Sequence, residues 1–221
     1  MKKLVLCLLL GSGCLVSGLF AAGSSWFSLN LSFPFIWEDA DDALPDYLDM
    51  DASMRMANLA VGASFSSYFT ERIGLHAALD FYFPRTYTVT VDSYYGKVSE
   101  SIDIDDVFDH AWGISALVGP SFALVRGNHL LIALSPGFHI AGLFTGIDRA
   151  SYSSSAVLFG IGGNAEVAFN LGSSLFFRAA VDVICDFAGS ATVDYGRYSY
   201  SEETDGTSIW VTPKIGVGFR F

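Results

Sequence analysis

The chain has 221 residues, of which 52% are hydrophobic and only 16% are charged, and its formal net charge is −11. The length fits one domain. The acidic balance excludes a nucleic-acid-binding surface, which would need a basic patch.

The first 23 residues have the pattern of a cleaved signal peptide. Lys2 and Lys3 form a short positive region, Leu4–Leu10 are apolar, and small residues end the segment at Ala21-Ala22-Gly23. Cleavage after Gly23 leaves 10 of the 12 cations against all 23 acids, a net charge of −13. The mature chain is then even less suited to bind nucleic acid.

The cysteines allow two interpretations of the N-terminus. If residues 1–23 are removed, Cys185 is the single cysteine left and forms no internal disulfide. The alternative takes Cys14 as a lipidation site, although the usual leucine is missing three residues before it.

Beyond the signal, apolar and polar side chains alternate in eight segments. A period of two predicts β-strands with one apolar face, and each segment is long enough for a tilted strand to cross a membrane. In chain order the segments are residues 26–37, 57–69, 73–84, 111–125, 129–144, 156–169, 174–187 and 208–221.

Short and long connections alternate between these strands. Tight turns are predicted around residues 70–72, 126–128 and 170–173, and Gly127 and Asn128 are expected to supply positive φ in the second turn. Longer loops are predicted at about residues 38–56, 85–110, 145–155 and 188–207, the first with a short helix near residues 47–55. In the second loop, residues 86–91 alternate Thr or Tyr with Val, so a hairpin is expected to project above the membrane. These loops carry 18 of the 23 acids.

This pattern predicts an all-β fold for residues 24–221. The expected architecture is an eight-stranded antiparallel up-and-down transmembrane β-barrel, with short turns and both termini on the periplasmic side and the long loops outside. No linker or second domain is visible in the sequence.

The final strand carries a recognisable signal. The chain ends in Gly-Val-Gly-Phe-Arg-Phe, and its apolar alternation includes Ile215, Val217, Phe219 and Phe221. This ending resembles the C-terminal assembly signal of bacterial outer-membrane β-barrels, and it is similar to that of OmpW-like and opacity-type small barrels. The resemblance implies outer-membrane lipid contact and recognition by the barrel assembly machinery. For an OmpW-like barrel it also implies a path or pocket for small hydrophobic molecules.

Charged residues on the predicted inward face form a second pattern. A charge on the lipid face would cost a few kcal/mol at the midplane, so these side chains belong in the lumen. We expect an ion-pair network in which Lys214 meets Asp182 on the neighbouring strand, whereas a selectivity lining for a small pore is the alternative. The predicted network is Asp80, Glu166, Arg178, Asp182, Asp186, Lys214 and Arg220.

The inward face becomes more apolar toward the predicted outer loops. An apolar cup above a polar floor would hold a small hydrophobic solute, but the side chains of a narrow barrel fill its interior in any case. The predicted cup consists of Tyr82, Leu117, Leu143, Leu158, Ile184 and Trp210.

Two functional hypotheses follow, and neither is enzymatic or needs a cofactor or metal. The four histidines are followed two residues later by Ala78, Trp112, Leu131 and Ala141, so none matches the His-x-Ser pair of barrel deacylases. The first hypothesis is a narrow channel or pocket for small hydrophobic molecules. The second is a surface adhesion or immune-interaction barrel, whose Tyr/Ser/Asp-rich loops bind a host or extracellular partner.

Overall fold

The computed structural model describes residues 24–39, 51–93, 96–172, 174–204 and 206–221, which form eleven β-strands and two short 3-10 helices. The predicted signal peptide and the centre of the first loop lie outside these residues. The helices span Ile104–Asp106 and Asp148–Ala150. The strands are β1 Ser24–Ser32, β2 Phe35–Asp39, β3 Asp51–Tyr68, β4 Ile73–Ser93, β5 Gly96–Asp103, β6 His110–Arg126, β7 Leu130–Ile147, β8 Tyr152–Asn170, β9 Leu175–Tyr195, β10 Tyr198–Thr204 and β11 Ser208–Arg220.

The strands close into an antiparallel ring of eight. Its order is β1/β2, β3, β4, β6, β7, β8, β9 and β11, and β11 pairs back onto β1 and β2. Closure runs through Trp26 opposite Arg220 and Ser32 opposite Lys214. The predicted eight-stranded up-and-down barrel is confirmed, and the closed ring has no free edge along its wall.

One barrel strand is interrupted by a proline and is therefore counted as β1 and β2. Pro34 has no N–H to donate to the ladder. The neighbouring strands keep the two pieces in line, because Phe33 donates to the Pro213 carbonyl at 3.0 Å and Asn58 donates to the Pro34 carbonyl at 3.0 Å.

The two faces of the wall differ sharply in polarity. Every second side chain points outward, and this belt is apolar, with Leu29, Val61, Leu79, Ile161 and Val183 among its exposed residues. Exposed aromatic residues flank the belt at both ends, as at the two interfaces of a membrane. They are Phe69, Phe169, Phe219 and Phe221 at one end and Trp37, Phe83 and Trp112 at the other.

The predicted loops at one end are largely strands. β4 and β5 form a hairpin over 86–103, β9 and β10 form another over 189–204, and β7 and β8 continue in register to residues 147 and 152. The prediction of loops at 85–110, 145–155 and 188–207 was therefore too broad. Cross-strand hydroxyl pairs stabilise the extensions, for example Thr88 with Ser101 at 2.8 Å.

The first predicted loop is also shorter than expected. β2 extends to Asp39 and β3 begins at Asp51, so strand occupies both flanks of the predicted 38–56 loop. Residues 51–55 pair with β4 and are not helical. The part of the predicted helix at 47–50 lies outside the described residues.

The other end of the barrel carries the tight turns. Thr70 Oγ1 accepts hydrogen bonds from the N–H groups of Arg72 and Ile73 at 3.2 and 2.9 Å. The prediction of positive φ at Gly127 and Asn128 is wrong, since neither residue has a positive φ. The turn is closed by a hydrogen bond of 2.8 Å from the Gly127 N–H to the Leu130 carbonyl. We call this the turn end and the opposite one the hairpin end. Among the described residues, no helix is long and apolar enough to cross a membrane.

Candidate functional site

The lumen is filled in layers, beginning at the turn end. An apolar cluster there includes Trp26, Tyr68, Leu131 and Phe176. The space left between this cluster and the buried polar groups above it is about 10 Å³, room for roughly one water molecule. The turn end is thus closed by side chains.

Lys214 joins two strands across the middle of the lumen. Its Nζ lies 2.5 Å from Asp80 Oδ2 on β4 and 2.6 Å from Asp182 Oδ2 on β9. Asp182 also accepts a hydrogen bond from Asn164 Nδ2 at 2.5 Å, and Asp80 accepts one from Ser32 Oγ at 3.2 Å. The ammonium therefore balances two buried carboxylates that would otherwise repel each other.

Arg178 forms the second part of the polar layer. Its Nε donates to Glu166 Oε2 at 2.6 Å. Its terminal nitrogens donate to the oxygens of Ser64, Asn30 and Asn164 at 2.7 to 3.2 Å, so the buried guanidinium is surrounded by acceptors. Arg220 lies elsewhere, at the turn end of β11, where its guanidinium carbon is 5.6 Å from the centroid of the Trp26 ring.

Asp186 is the member of the predicted network nearest the hairpin end. Its Oδ1 lies 2.7 Å from His139 Nδ1, and both side chains are almost fully buried. Within the described part of the chain, its second oxygen has no hydrogen-bond partner. Sequence reasoning named Asp186 but did not assign His139 as its partner.

Two aromatic rings lie above this polar layer. Tyr82 and Trp210 meet edge to face at 5.5 Å between centroids, and the Trp210 ring also packs against His139 at 5.1 Å. The Tyr82 hydroxyl donates to the Gly142 carbonyl at 3.1 Å, which fixes the ring across the lumen. Trp210 is only 2% exposed. These rings separate the polar layer from a cavity at the hairpin end.

The hairpin-end cavity has a volume of about 540 Å³. This size is within the range of small-molecule sites, which are mostly apolar with a few polar groups. Its base is Tyr82 and Trp210, and its walls come from several strands. The apolar wall residues are Ile36, Met56, Pro84, Leu143, Ala156, Leu158 and Ala191.

One wall of the cavity comes from the segment that follows β5. The 3-10 helix at Ile104–Asp106 turns the chain back toward the lumen, and Ile104 is buried although its neighbours are acidic. Val107 and Phe108 continue this wall, with both of their N–H groups bonded to the Ile104 carbonyl. Sequence reasoning missed these residues because it interpreted the segment only as an acidic loop.

The cavity contains few polar groups. Thr145 and Ser154 satisfy each other at 2.7 Å between their hydroxyl oxygens, and Tyr87 bonds to the Met54 sulfur. Glu38 is the one carboxylate among the described lining residues. It follows the girdle residue Trp37 and so lies beyond the membrane-spanning part of β2. Burial, and to a smaller extent the charge of Asp186, raise the pKa of Glu38 above its ordinary value.

The structure places the predicted cup residues in two groups. Tyr82, Leu143, Leu158 and Trp210 line the cavity. Ile184 packs beside Trp210 in the same apolar cluster but does not reach the cavity, and Leu117 is buried opposite His139 at a lower level. Parity indicated the inward face for all six residues. How far along the barrel axis each residue lies depends on the stagger of the strands, and the alternation of side chains carries no information on that stagger.

The described residues give no support to a metal site. Among the described residues, no group of three or more His, Cys, Asp or Glu side chains is placed to hold a metal ion.

No protein-family model matches the sequence, and no curated protein matches it.

Solved structures of outer-membrane proteins share the fold. The chain is similar to the outer membrane protein OprG from Pseudomonas aeruginosa, with a TM-score of 0.58 and 13% identity over 90% of this chain and 96% of that chain. The N-terminal β-barrel domain of Pseudomonas aeruginosa OprF gives 0.47 and 13% over 90% and 98%. Ail, the attachment invasion locus protein of Yersinia pestis, gives 0.42 and 13% over 90% and 99%. The similarity to OprG and the closed ring of eight strands show that the chain has the fold of the small eight-stranded outer-membrane β-barrel proteins.

Proposed function

We propose that this protein is a bacterial outer-membrane barrel whose hairpin-end cavity binds small hydrophobic molecules, as OmpW-like barrels are thought to do. In this proposal the hairpin end faces the outside, both ends of the barrel domain are periplasmic, and the last strand is read by the barrel assembly machinery. The observation that carries the proposal is the apolar cavity of about 540 Å³ closed below by Tyr82 and Trp210.

The filled lumen favours a pocket over a pore along the barrel axis. Beneath the two rings lie the buried side chains of Asp186, Lys214 and Arg178, each engaged with a partner. A solute passing along the axis would have to displace these ion pairs, which is costly in a low-dielectric interior. A solute entering from the hairpin end would meet mainly apolar walls.

The test places an acid in the cavity and compares it with an acid on the outer wall. Leu158 lines the cavity, whereas Ile161, three residues along β8, is 53% exposed on the lipid-facing belt. Leu158→Asp should fold and lose affinity for 1-naphthylmethanol at least tenfold, measured by isothermal titration in detergent against a micelle blank. Ile161→Asp should impair insertion, because a charge there meets lipid.

Two outcomes would contradict the proposal. If the folded Leu158→Asp protein binds the probe as the wild type does, the cavity is not the binding site. If wild-type protein shows no heat above the micelle blank, the cavity is packing space rather than a pocket.

A second function is favoured by a different observation, the exposed tyrosines of the β9–β10 hairpin. Tyr195, Tyr198 and Tyr200 are 59%, 82% and 64% exposed, and tyrosine and serine are common contact residues in recognition loops. Under this hypothesis the barrel binds a host or extracellular protein. Cells displaying Tyr198→Ser/Tyr200→Ser should then lose attachment to host cells while Leu158→Asp cells keep it, and the reverse result would refute this hypothesis.

A further inference from the structure

The hairpin-end cavity is apolar but carries negative charge on one side. Glu38 contributes the single carboxylate of its described wall, and no Lys, Arg or His side chain lines that wall. A half-buried carboxylate is costly to desolvate, and a cation that entered the cavity would offset this cost.

A second carboxylate, that of Asp186, lies beneath the cavity floor. Glu38 of β2 and Asp186 of β9 both lie opposite Ser208 of β11, one on each side of it, and Asp186 contributes to the raised pKa of Glu38. Asp186 is neutralised by no arginine or lysine among the described residues, since its partner is His139. A positive group near Glu38 would therefore interact favourably with two carboxylates at once.

Aromatic side chains line the cavity together with Glu38. Tyr82, Trp210, Tyr87 and Phe108 all line the cavity. Aromatic rings attract cations through the negative charge of their faces, and aromatic cages are a common way to bind quaternary ammonium groups. The cavity thus offers apolar walls for a hydrocarbon group, and Glu38 with the aromatic rings for a positively charged group.

The surface around the entrance has the same sign. The exposed lysine and arginine side chains described there are Arg55, Arg85, Lys97 and Arg197, and Arg85 is already paired with Asp105 at 3.6 Å. A negative rim concentrates cationic solutes near the mouth, and salt weakens the effect. Among the side chains that the structure describes at the hairpin end, ten carboxylates are exposed: Asp92, Glu100, Asp103, Asp105, Asp106, Asp109, Asp148, Asp194, Glu202 and Glu203.

From these observations we infer that the cavity selects hydrophobic cations, meaning small molecules in which an ammonium group is attached to an apolar body. Glu38 is the specificity-determining residue and contacts the ammonium. The inference rests on the proposed function and narrows it from hydrophobic molecules in general to this class.

Three naphthalene probes of nearly the same size test the inference: 1-naphthylmethylammonium, 1-naphthylmethanol and 1-naphthylacetate. Each is titrated calorimetrically into the refolded full-length barrel at neutral pH against a micelle blank. The cation should bind about tenfold more tightly than the alcohol, as expected for one charge-assisted contact, and the anion should bind most weakly. Glu38→Gln should remove the preference for the cation and leave the affinity of the alcohol unchanged.

The matched control is Glu100→Gln, which removes an exposed carboxylate of β5 without touching the cavity. It should keep the preference for the cation. If it lowers cation affinity as much as Glu38→Gln does, the preference comes from the acidic rim and the assignment of Glu38 is wrong.

A pH titration of the wild type tests the same point without a substitution. Among the described residues, the titratable groups that interact with Glu38 are Asp186 of β9 and Tyr82 and Tyr87 of β4. Its direct partners on β3 and β11, Met54 and Ser208, do not titrate. Cation affinity should fall as the pH decreases through the raised pKa of Glu38, while alcohol affinity stays constant. Equal binding of cation and alcohol at every pH would overturn the inference and leave the proposed function standing. Absence of binding by all three probes would overturn both.

Discussion

Among the described residues, Lys214 is the cation that forms ion pairs with both carboxylates at the middle of the lumen. Its side chain is almost fully buried between Asp80 and Asp182. Removing one member of a buried ion pair is much more destabilising than removing the pair, because the remaining charge stays desolvated. Here two carboxylates would remain.

Lys214→Met should therefore lower the free energy of unfolding by about 3–5 kcal/mol, measured by guanidinium unfolding in detergent. The control is Lys97→Met, which changes an exposed lysine on β5 and should have no measurable effect. Adding Asp80→Asn and Asp182→Asn to Lys214→Met should recover much of the loss. Unchanged stability of Lys214→Met would show that the ion pairs do not hold the middle of the barrel together.

Sequence reasoning at this scale indicated the faces and one correct partner, since the expected pairing of Lys214 with Asp182 is confirmed, but it did not predict the other partners. Alternation with period two indicates that Asp80, Asp182 and Lys214 share the inward face. Which carboxylates Lys214 reaches depends on the stagger between β11, β9 and β4, and His139 could be matched to Asp186 only after the β7–β8–β9 register was known. Arg220 shares the parity of Lys214 but lies at the turn end.

At the scale of strands, β-bulges decide which residues reach the cavity. Arg85 is an extra residue in β4, since Ala57 pairs with Thr86 and Asn58 with Pro84. The bulge changes the parity, and Tyr87 therefore lines the cavity as Tyr82 does. Phe187 is a similar extra residue in β9. Hydrophobic alternation predicted the strands well but contains no signal for such bulges.

The pairing of β4 with β6 also shapes the cavity floor. Gly113 lies opposite Tyr82, and a Cβ at this glycine would come within 2.1 Å of the Tyr82 ring. The missing side chain leaves the space in which the ring lies flat against β6. The position of the cavity floor therefore depends on a glycine in the neighbouring strand.

Gly113→Val should displace the Tyr82 ring and disturb its contact with Trp210. We expect a stability loss of about 1–3 kcal/mol, as for other overpacked sites, together with weaker binding of 1-naphthylmethanol. Both are measured on the refolded protein, by unfolding and by titration. Gly172→Val is the control, because a Cβ there meets nothing within 4 Å. If Gly113→Val leaves both quantities unchanged, the floor is not built as described.

At the scale of the whole molecule, the two ends of the barrel have different chemistry. The turn end is short, and Ser25 and Phe221 exchange backbone hydrogen bonds of 2.8 and 3.0 Å there. The hairpin end extends beyond the girdle and carries most of the exposed acid. The alternation of short and long connections indicated this asymmetry in the sequence. The alternation of Thr or Tyr with Val over residues 86–91 indicated that β4 would project as a hairpin, which its pairing with β5 confirms. The extension of β9 and β10 was not expected, because their Thr, Ser and Tyr residues also suit loops.

Epitope tags test the orientation of these ends in the membrane. Tags at Gly96 and Gly196, at the tips of the two hairpins, should be accessible to antibody on intact cells. Tags beside Arg72 or Gly172 should be accessible only after the outer membrane is opened. The opposite pattern would mean that the cavity faces the periplasm.

A closed barrel with an apolar binding cavity at its hairpin end can be examined directly by anomalous diffraction. Crystals of the refolded protein would be soaked with 1-bromonaphthalene and measured at the bromine absorption edge. We expect an anomalous peak inside the barrel between Ile36, Leu158 and Trp210, and no such peak in crystals of Leu158→Asp. Bromine found only on the lipid-facing belt, with the cavity empty or filled by side chains, would contradict it.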